Sequence, residues 1–270
     1  MPVDMHVHTT ASDGVDNPED VVARAKALGL DALAITDHDT LEGVEPAMAA
    51  AIIYKIEVIP GIELSTEHGG KEIHVLGYLM DLNCPEFLDK ISFFRNCRVD
   101  RIGKMVIKLQ ELGIPVDIEK VMVISGAGSV GRPHLAAALV EAGVAATIAE
   151  AFDKYLGAGC PAYVPRFKVD PVEAVQLIRN AGGFPVMAHP GLSNSSSLIP
   201  DLAQEGLLGL EAYHPAHSRE LSSYYCRLAE EYGLIITGGS DYHGPGHKEG
   251  ISLGAQTVPY TVVQNMKSRG

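Results

Sequence analysis

Close cysteine pairs are missing from this 270-residue sequence: Cys84, Cys97, Cys160 and Cys226 stand far apart, and no C-x-x-C occurs. The spacing excludes a thiolate zinc cage and offers no disulfide frame; it predicts reduced structural thiols, as in a cytoplasmic protein. Long apolar runs are missing too. Hydrophobic residues make up 46% of the chain, yet charges or prolines interrupt each apolar stretch before the roughly 18 residues of a membrane span. No basic stretch followed by an apolar run opens the sequence, so no secretory leader is expected. Cationic residues are outnumbered, 21 Lys and Arg against 34 Asp and Glu, for a formal charge of -13. That balance excludes a broad basic groove for duplex DNA, but not a small phosphorylated ligand. "GGS" at 238–240 lacks the G-x-S-x-G context of a hydrolase elbow. No internal repeat occurs, and "SNSSS" at 193–197 is the one low-complexity tract. The chain is long enough for one large domain, or one domain with an insertion.

Histidine is plentiful, with eleven residues, and position matters more than number. "MHVHTTASDG" at 5–14 sets His6, His8 and Asp13 within eight residues. In an extended segment His6 and His8 share one face, while Val3, Met5 and Val7 point the other way. Taken alone, the pair reads equally well as a metal-binding face or as a solvated strand end, and the rest of the chain decides.

A short apolar run, a polar residue and a helix-like segment then recur. "VDMHVH" ends at His8, and "PEDVVARAKALGL" follows with helical spacing and Pro18 near its start. "ALAITDHD" delivers Asp37, His38 and Asp39; "EVIPGIEL" delivers Glu63; "KEIHVLGYL" delivers His74. Later come "PVMAHP" with His189, "GLEAYHPAH" with Glu211, His214 and His217, and "LIITGGSDYHG" with Asp241 and His243. Strands that alternate with helices and end on polar residues predict an α/β fold with its site at the strand ends. An open doubly wound sheet alternates similarly. Polar residues at nearly every strand end favour a closed barrel, formed by residues 1–80 and 170–270. Between them, residues 81–169 read as a helix-rich insertion placed to cap the site.

Nine side chains collect at these strand ends: His6, His8, Asp13, His38, Glu63, His74, His189, Asp241 and His243. Clustered buried carboxylates and imidazoles are costly as core, and divalent cations compensate them. Nine donors exceed the four to six of one transition metal, so two or three ions with bridging carboxylates are expected. Mixed imidazole and carboxylate donors suit Mn²⁺ first, with Fe²⁺ and Zn²⁺ as the other candidates, in a catalytic cluster suited to phosphate-ester hydrolysis by activated water.

"HVHTTASDG", "ITDHDT", "GIELST", "IHVLGY", "AHP" and "GGSDYHG" together resemble the successive motifs of the PHP family, named for polymerase and histidinol phosphatase. The resemblance spans almost the whole chain. It implies a distorted (β/α)7 barrel with a trinuclear metal centre and the nine residues above as ligands. It places His6 and His8 with His243 or Glu63 around one ion, Asp13 and His38 at a second, and His74, His189, Asp241 and Glu63 at the remaining positions. Asp13, His38, Glu63, His189 and His243 are assigned to catalysis, with Asp13 and His38 also facing the substrate.

Within the family, "SVGRPHLAAALVEAG" and "AFDKYLGAGCPAYVP" are similar to the branch of nucleoside 3′,5′-bisphosphate phosphatases and RNA 5′-end exonucleases. That likeness implies that Arg132 and His134 reach a substrate phosphate, consistent with a bidentate guanidinium and a helix start at Pro133. His214 and His217 are second candidates for substrate contact. His68 reads as a hairpin-turn residue, and His247 as a loop residue for which phosphate contact is the lesser reading. "GAGSVG" at 126–131 matches G-x-G-x-x-G, but Pro133 and its place in the chain speak against a dinucleotide fold, so a phosphate-facing loop is expected. The expected substrate is a nucleoside 3′,5′-bisphosphate or short RNA. The rivals are a histidinol-phosphatase-like enzyme and a non-catalytic metal-binding module.

Overall fold

A computed structural model describes residues 1–126, 128–245 and 250–269. Strands β1 (Pro2–Val7), β2 (Ala32–Ile35), β3 (Glu57–His68), β4 (Lys71–Tyr78), β5 (Phe184–Met187), β6 (Gly209–Tyr213), β7 (Ile235–Gly238) and β8 (Val258–Pro259) form one sheet in the order β7-β6-β5-β4-β3-β2-β1-β8. β1, β2 and β3 run parallel, as do β5, β6 and β7; β4 is antiparallel to both β3 and β5. The first seven strands nearly close into a ring, because Val7 bridges Tyr242 just past β7 and His8 N donates to Tyr242 O at 2.8 Å. This is the distorted (β/α)7 barrel that the motifs imply.

The distortion has a local cause. β3 ends at His68, and Gly69 and Gly70 follow with φ of 59° and 80°, a left-handed turn that glycine makes without steric cost. A hairpin therefore replaces the crossover helix at this point. The expectation that every polar residue closes a strand's C-terminal end is corrected here: His74 lies within antiparallel β4, opposite Ser65.

A second correction concerns β1. Its pairing with β2 shifts register between Asp4 and Val7. Val3 and Met5 join the cluster of Ala34, Ile59, Leu76, Tyr78 and Val186 enclosed by the strands. Val7 instead packs with Val21, Val22, Leu33 and Ile35 under the helices. Strict alternation would have put Val7 with Met5. The irregularity reverses the pattern, as a bulge does, and separates His6 and His8 from the outer layer.

The helices are α1 (Pro18–Ala27), α2 (Val44–Tyr54), α3 (Pro85–Glu111), α4 (Ile118–Ser125), α5 (Arg132–Glu141), α6 (Ile148–Ala151), α7 (Pro171–Asn180), α8 (Pro190–Ser193), α9 (Ile199–Gln204), α10 (Arg219–Glu231) and α11 (Thr261–Arg269), with a π-turn over Phe152–Leu156. Their starts follow capping chemistry: Asn17, Asp117, Asp170 and Ser218 accept backbone N–H groups at the heads of α1, α4, α7 and α10. "VMVIS", which could pass for a strand, belongs to α4 because Asp117 caps that segment and Val121 packs against Leu135 and Leu139 of α5. No described helix is long and apolar enough to cross a membrane.

α3 spans two cores. Phe87, Ile91 and Phe94 pack with Ala174, Val175 and Ile178 beside the barrel. Ile102, Met105, Val106 and Leu109 pack with Val121, Leu135, Leu139 and Leu156 in a second cluster. Burying each such side chain is worth about 1.5–3 kcal/mol, so one continuous helix ties the 81–169 segment firmly to the barrel. The tie is completed at Gly128, where an added Cβ would meet Ala11 O at 2.4 Å, and at Ser129, whose N donates to Ala11 O at 2.7 Å.

Candidate metal centre

The loop after β1 is shaped by one buried carboxylate. Asp37 accepts from Thr9 N (2.8 Å), Thr9 Oγ1 (2.8 Å) and Ser12 Oγ (2.6 Å), folding "HTTASD" back so that Asp13 faces His8 and His243. Asp4 does the same below, taking Ser240 N and Gly254 N at 2.9 Å each. Close approach is required at Gly239, where a Cβ would meet His6 Cβ at 2.4 Å. Beside the donors, Asp39 (φ 52°), His189 (φ 24°) and Asp241 (φ 53°) adopt left-handed backbone. Such strain costs of order 1–3 kcal/mol at each non-glycine position and concentrates at functional sites.

All nine sequence-predicted donors lie in this one mouth of the barrel. His6 Nε2, His8 Nε2, Glu63 Oε2 and Asp241 Oδ1 form the tightest set. His6 Nε2 is 3.1 Å from His8 Nε2 and 3.3 Å from both Glu63 Oε2 and Asp241 Oδ1; His8 Nε2 is 3.2 Å from each. A tetrahedron with bonds of about 2.0–2.1 Å has edges of about 3.3 Å, so this set fits a single ion. His8, Asp13, His38 and His243 form a second group, and His38, Glu63 and His74 a third, each with donor atoms within 4.8 Å of one another. His189 Nε2 reaches Glu63 Oε1 at 3.0 Å. Asp13 Oδ1, His38 Nδ1 and Glu63 Oε2 are buried and make no hydrogen bond, as expected of atoms arranged for cations rather than for each other. The grouping differs from the partition that the resemblance implies: Asp241 stands with His6 and His8, and His243 with Asp13 and His38. Glu63 bridges the first and third groups.

The electrostatics agree. Burial opposes the charged form of His6, but Glu211, Glu63 and Asp241 outweigh it and hold the imidazole well above its ordinary value. His8 is buried likewise and raised to about 10 by Asp241 and Glu63, and His74 to about 9 by Glu63 and Glu72. Despite burial, the carboxyls of Asp13, Glu63 and Asp241 are held well below their usual range by the surrounding imidazoles. His38 goes the other way: burial, with His8 and His74 beside it, lowers it to about 3. Acids this dense need positive charge among them, and divalent ions can take the place of the protons.

Around the donors lies a shell to which sequence reasoning gave no role, although it had placed Glu211 and Asp39 at strand ends. His6 Nδ1 donates to Glu211 Oε1 at 3.0 Å, and Glu211 Oε2 accepts His189 N at 2.8 Å. This leaves the lone pair of His6 on Nε2, facing the other donors. His74 Nε2 donates to Glu72 Oε1 at 3.1 Å while Nδ1 faces Glu63 at 2.7 Å. Glu72 is gripped by Arg166 at 2.7 Å and Arg132 at 3.5 Å, and Asp39 by Arg98 at 2.6 Å. Glu72 lies two residues before His74 in a strand, which puts both on one face and was a usable signal. Nothing local marks Arg98 or Arg166.

Arg132 and His134 open α5 beside this mouth. Arg132 lies over the Phe152 ring, 5.5 Å from its centroid. Its ionic partner is Glu72 of the barrel; Glu141 pairs with Lys120. His134 Nδ1 accepts from Gly131 N at 3.0 Å, its ring also bonds the Ser12 backbone, and burial lowers its pKa. His214 Nε2 lies 3.5 Å from Asp241 Oδ2. Both His217 nitrogens are engaged, Nδ1 by Ala212 O at 3.0 Å and Nε2 by Gly191 N at 3.2 Å, so His217 holds the turn after His189. His247 lies outside the described residues. A groove of about 830 Å³ runs from Asp13, Gly14 and His134 past Ile124 and Ala137 to Ile148 and Phe152, a size common for small-molecule sites.

The PHP domain model matches residues 4–156. The chain belongs to the PHP domain family. Among relatives, this PHP chain is 36% identical over 252 residues to the 5′-3′ exoribonuclease Rnm of Escherichia coli, covering 90% of this chain and 85% of the relative. It is 33% identical over 247 residues (89% and 94%) to a phosphoribosyl 1,2-cyclic phosphate 1,2-diphosphodiesterase of Eggerthella lenta. It is 32% identical over 250 residues (90% and 88%) to a 3′,5′-nucleoside bisphosphate phosphatase of Chromobacterium violaceum. A crystal structure described as a metal-dependent phosphoesterase from Bifidobacterium adolescentis superposes with TM-score 0.91 at 30% identity, covering 99% of this chain and 96% of that one. The reading as a phosphoric ester hydrolase of this family is borne out.

Proposed function

We propose that this PHP protein removes the 3′-phosphate from nucleoside 3′,5′-bisphosphates and trims short RNA from its 5′ end. The observation that carries the reading is the set of four donor atoms at 3.1–3.3 Å spacing, ringed by five further donors. In this reading His6, His8, Glu63 and Asp241 hold one ion, Asp13, His38 and His243 help hold a second, and His74 and His189 complete the centre with Glu63. The ions, Mn²⁺ first, supply activated water and neutralise charge on phosphoryl oxygens. Asp13 and His38 border the open side, where the scissile ester would lie.

The 81–169 segment acts as a cap in this proposal. Arg132 takes the non-reacting phosphate through its guanidinium fork, and His134 fixes the helix start between cap and metal loop. The groove towards Ile148 and Phe152 takes the nucleoside. His214 positions Asp241, and His217 acts as a buttress rather than a substrate contact. The setting is the cytoplasm.

The test is a substrate screen with metal content measured on the same sample. Adenosine 3′,5′-bisphosphate, adenosine 3′-monophosphate, short 5′-phosphorylated RNA, a ribose 1,2-cyclic phosphate and histidinol phosphate are compared with added Mn²⁺. Turnover of bisphosphate well above monophosphate is expected. Fastest turnover of the cyclic phosphate or of histidinol phosphate would move the enzyme to another branch, and no phosphate release at all would sink the catalytic reading.

A further inference from the structure

Four guanidiniums, those of Arg98, Arg101, Arg132 and Arg166, gather beside β4 within one another's electrostatic reach. Two carboxylates answer them, Asp39 and Glu72. Arg98 is committed: Nε donates to Asp39 Oδ2 at 2.6 Å and Nη2 to Ser65 Oγ at 2.9 Å. Arg101 is committed too, with Nε on Val164 O at 2.8 Å and its plane over Tyr163. Arg132 and Arg166 share a single acid. Arg166 Nη2 holds Glu72 Oε1 at 2.7 Å, and Arg132 Nη2 stands 3.5 Å from Glu72 Oε2. Arg166 Nη1 is buried and has no hydrogen-bond partner.

We propose that Arg166 and Arg132 together clamp the second, non-reacting phosphate of the substrate, and that Glu72 occupies this clamp until the phosphate displaces it. The inference rests on the bisphosphate reading above and adds Arg166 and Glu72 to it. A carboxylate offers two oxygens to this pair, whereas a terminal phosphate offers three. The third oxygen answers the unpartnered Arg166 Nη1, which a carboxylate leaves unmet. Glu72 has open space to swing into once a phosphate takes over its partners, since its side chain is 43% exposed. The clamp is also at the right depth: Glu72 Oε1 is 3.1 Å from His74 Nε2, and His74 Nδ1 is 2.7 Å from Glu63. One imidazole therefore separates the clamp from the metal donors, so an ester at the ions and an anion in the clamp can belong to one small molecule. Phe152 holds the Arg132 plane from behind, which limits the ordering that binding requires.

The experiment measures kcat/KM on adenosine 3′,5′-bisphosphate and adenosine 3′-monophosphate for wild type, Arg166→Gln, Arg166→Lys and Glu72→Gln, with metal content determined for each. Arg166→Gln should lower the bisphosphate-to-monophosphate ratio by about ten- to a hundredfold; Arg166→Lys should restore part of it, because charge survives without the fork. Glu72→Gln should raise the ratio, because a neutral occupant competes less. Any harm that Glu72→Gln does through His74 falls on both substrates and cancels in the ratio. A ratio that falls or stays unchanged in both Arg166→Gln and Glu72→Gln would make Arg166 a strut for Glu72 and overturn the clamp. A wild type that does not distinguish the two substrates defeats the bisphosphate reading, and the clamp with it.

Discussion

Glu211 offers the sharpest test of how the barrel prepares the proposed metal donors. Its two oxygens are fully used, one by His6 Nδ1 at 3.0 Å and the other by His189 N at 2.8 Å, and the side chain is wholly buried. Glu211→Gln keeps the volume and an oxygen that can accept, but replaces a charge-assisted bond by a neutral one. The difference between such bonds is about 1–1.5 kcal/mol, or about five- to twelvefold in an equilibrium constant. Because His6 passes that polarisation to its Nε2, the loss should appear in Mn²⁺ affinity, with turnover restored at saturating Mn²⁺. Glu211 also favours a proton on His6, so proton competition masks part of the effect and the deficit should widen as pH rises. Glu211→Ala should add a stability loss of about 1–3 kcal/mol by stranding the buried His189 N–H. Competition titrations of Mn²⁺ against a fluorescent chelator, at two pH values, measure the affinity. An Mn²⁺ affinity within twofold of wild type for Glu211→Gln would show that Glu211 only fills space.

Asp13→Ala and His243→Ala should abolish phosphate release at limiting Mn²⁺ with little change in thermal midpoint, since both sit on loops above a formed barrel; near-normal turnover by either would make them loop struts. Arg132→Ala should lower kcat/KM on a 3′,5′-bisphosphate by about ten- to a hundredfold more than on a 3′-monophosphate, with Arg132→Lys recovering part; equal losses on both would leave Arg132 only its pairing with Glu72. Burial raises the Asp4 carboxyl to about 6 from 3.8, against the N–H groups of Ser240, Gly254 and His6. A raised carboxyl adds stability below its unfolded value and loses it as pH rises to about 6, a swing of about 3 kcal/mol. Denaturant titrations should therefore show wild type gaining on Asp4→Asn as pH falls from 6 to 4, and a constant gap would refute the burial argument. Gly239→Ala should cost activity and stability together, because its Cβ would fall 2.4 Å from His6 Cβ; a variant with full Mn²⁺ affinity would contradict that contact.

The sequence by itself determined which side chains could be candidate donors, and the class of fold. His6, His8, Asp13, His38, Glu63, His74, His189, Asp241 and His243 could be named because each follows or interrupts an apolar run short enough to be a strand, and a parallel barrel gathers such positions at one end. His68 was placed at a turn because Gly69 and Gly70 follow it, a local requirement written in local residues. Tertiary structure decided what depends on pairing partners far along the chain. The register irregularity in β1 that parts Val7 from Met5 arises from pairing with β2, so strict alternation could not foresee it. The grouping of Asp241 with His6 and His8 follows from ring closure between Val7 and Tyr242, 235 residues apart. Arg166, and the role of Glu211, were invisible for the same reason: a carboxylate and a guanidinium acquire their roles from the imidazole and the acid that the barrel sets against them, and neither partner is a sequence neighbour.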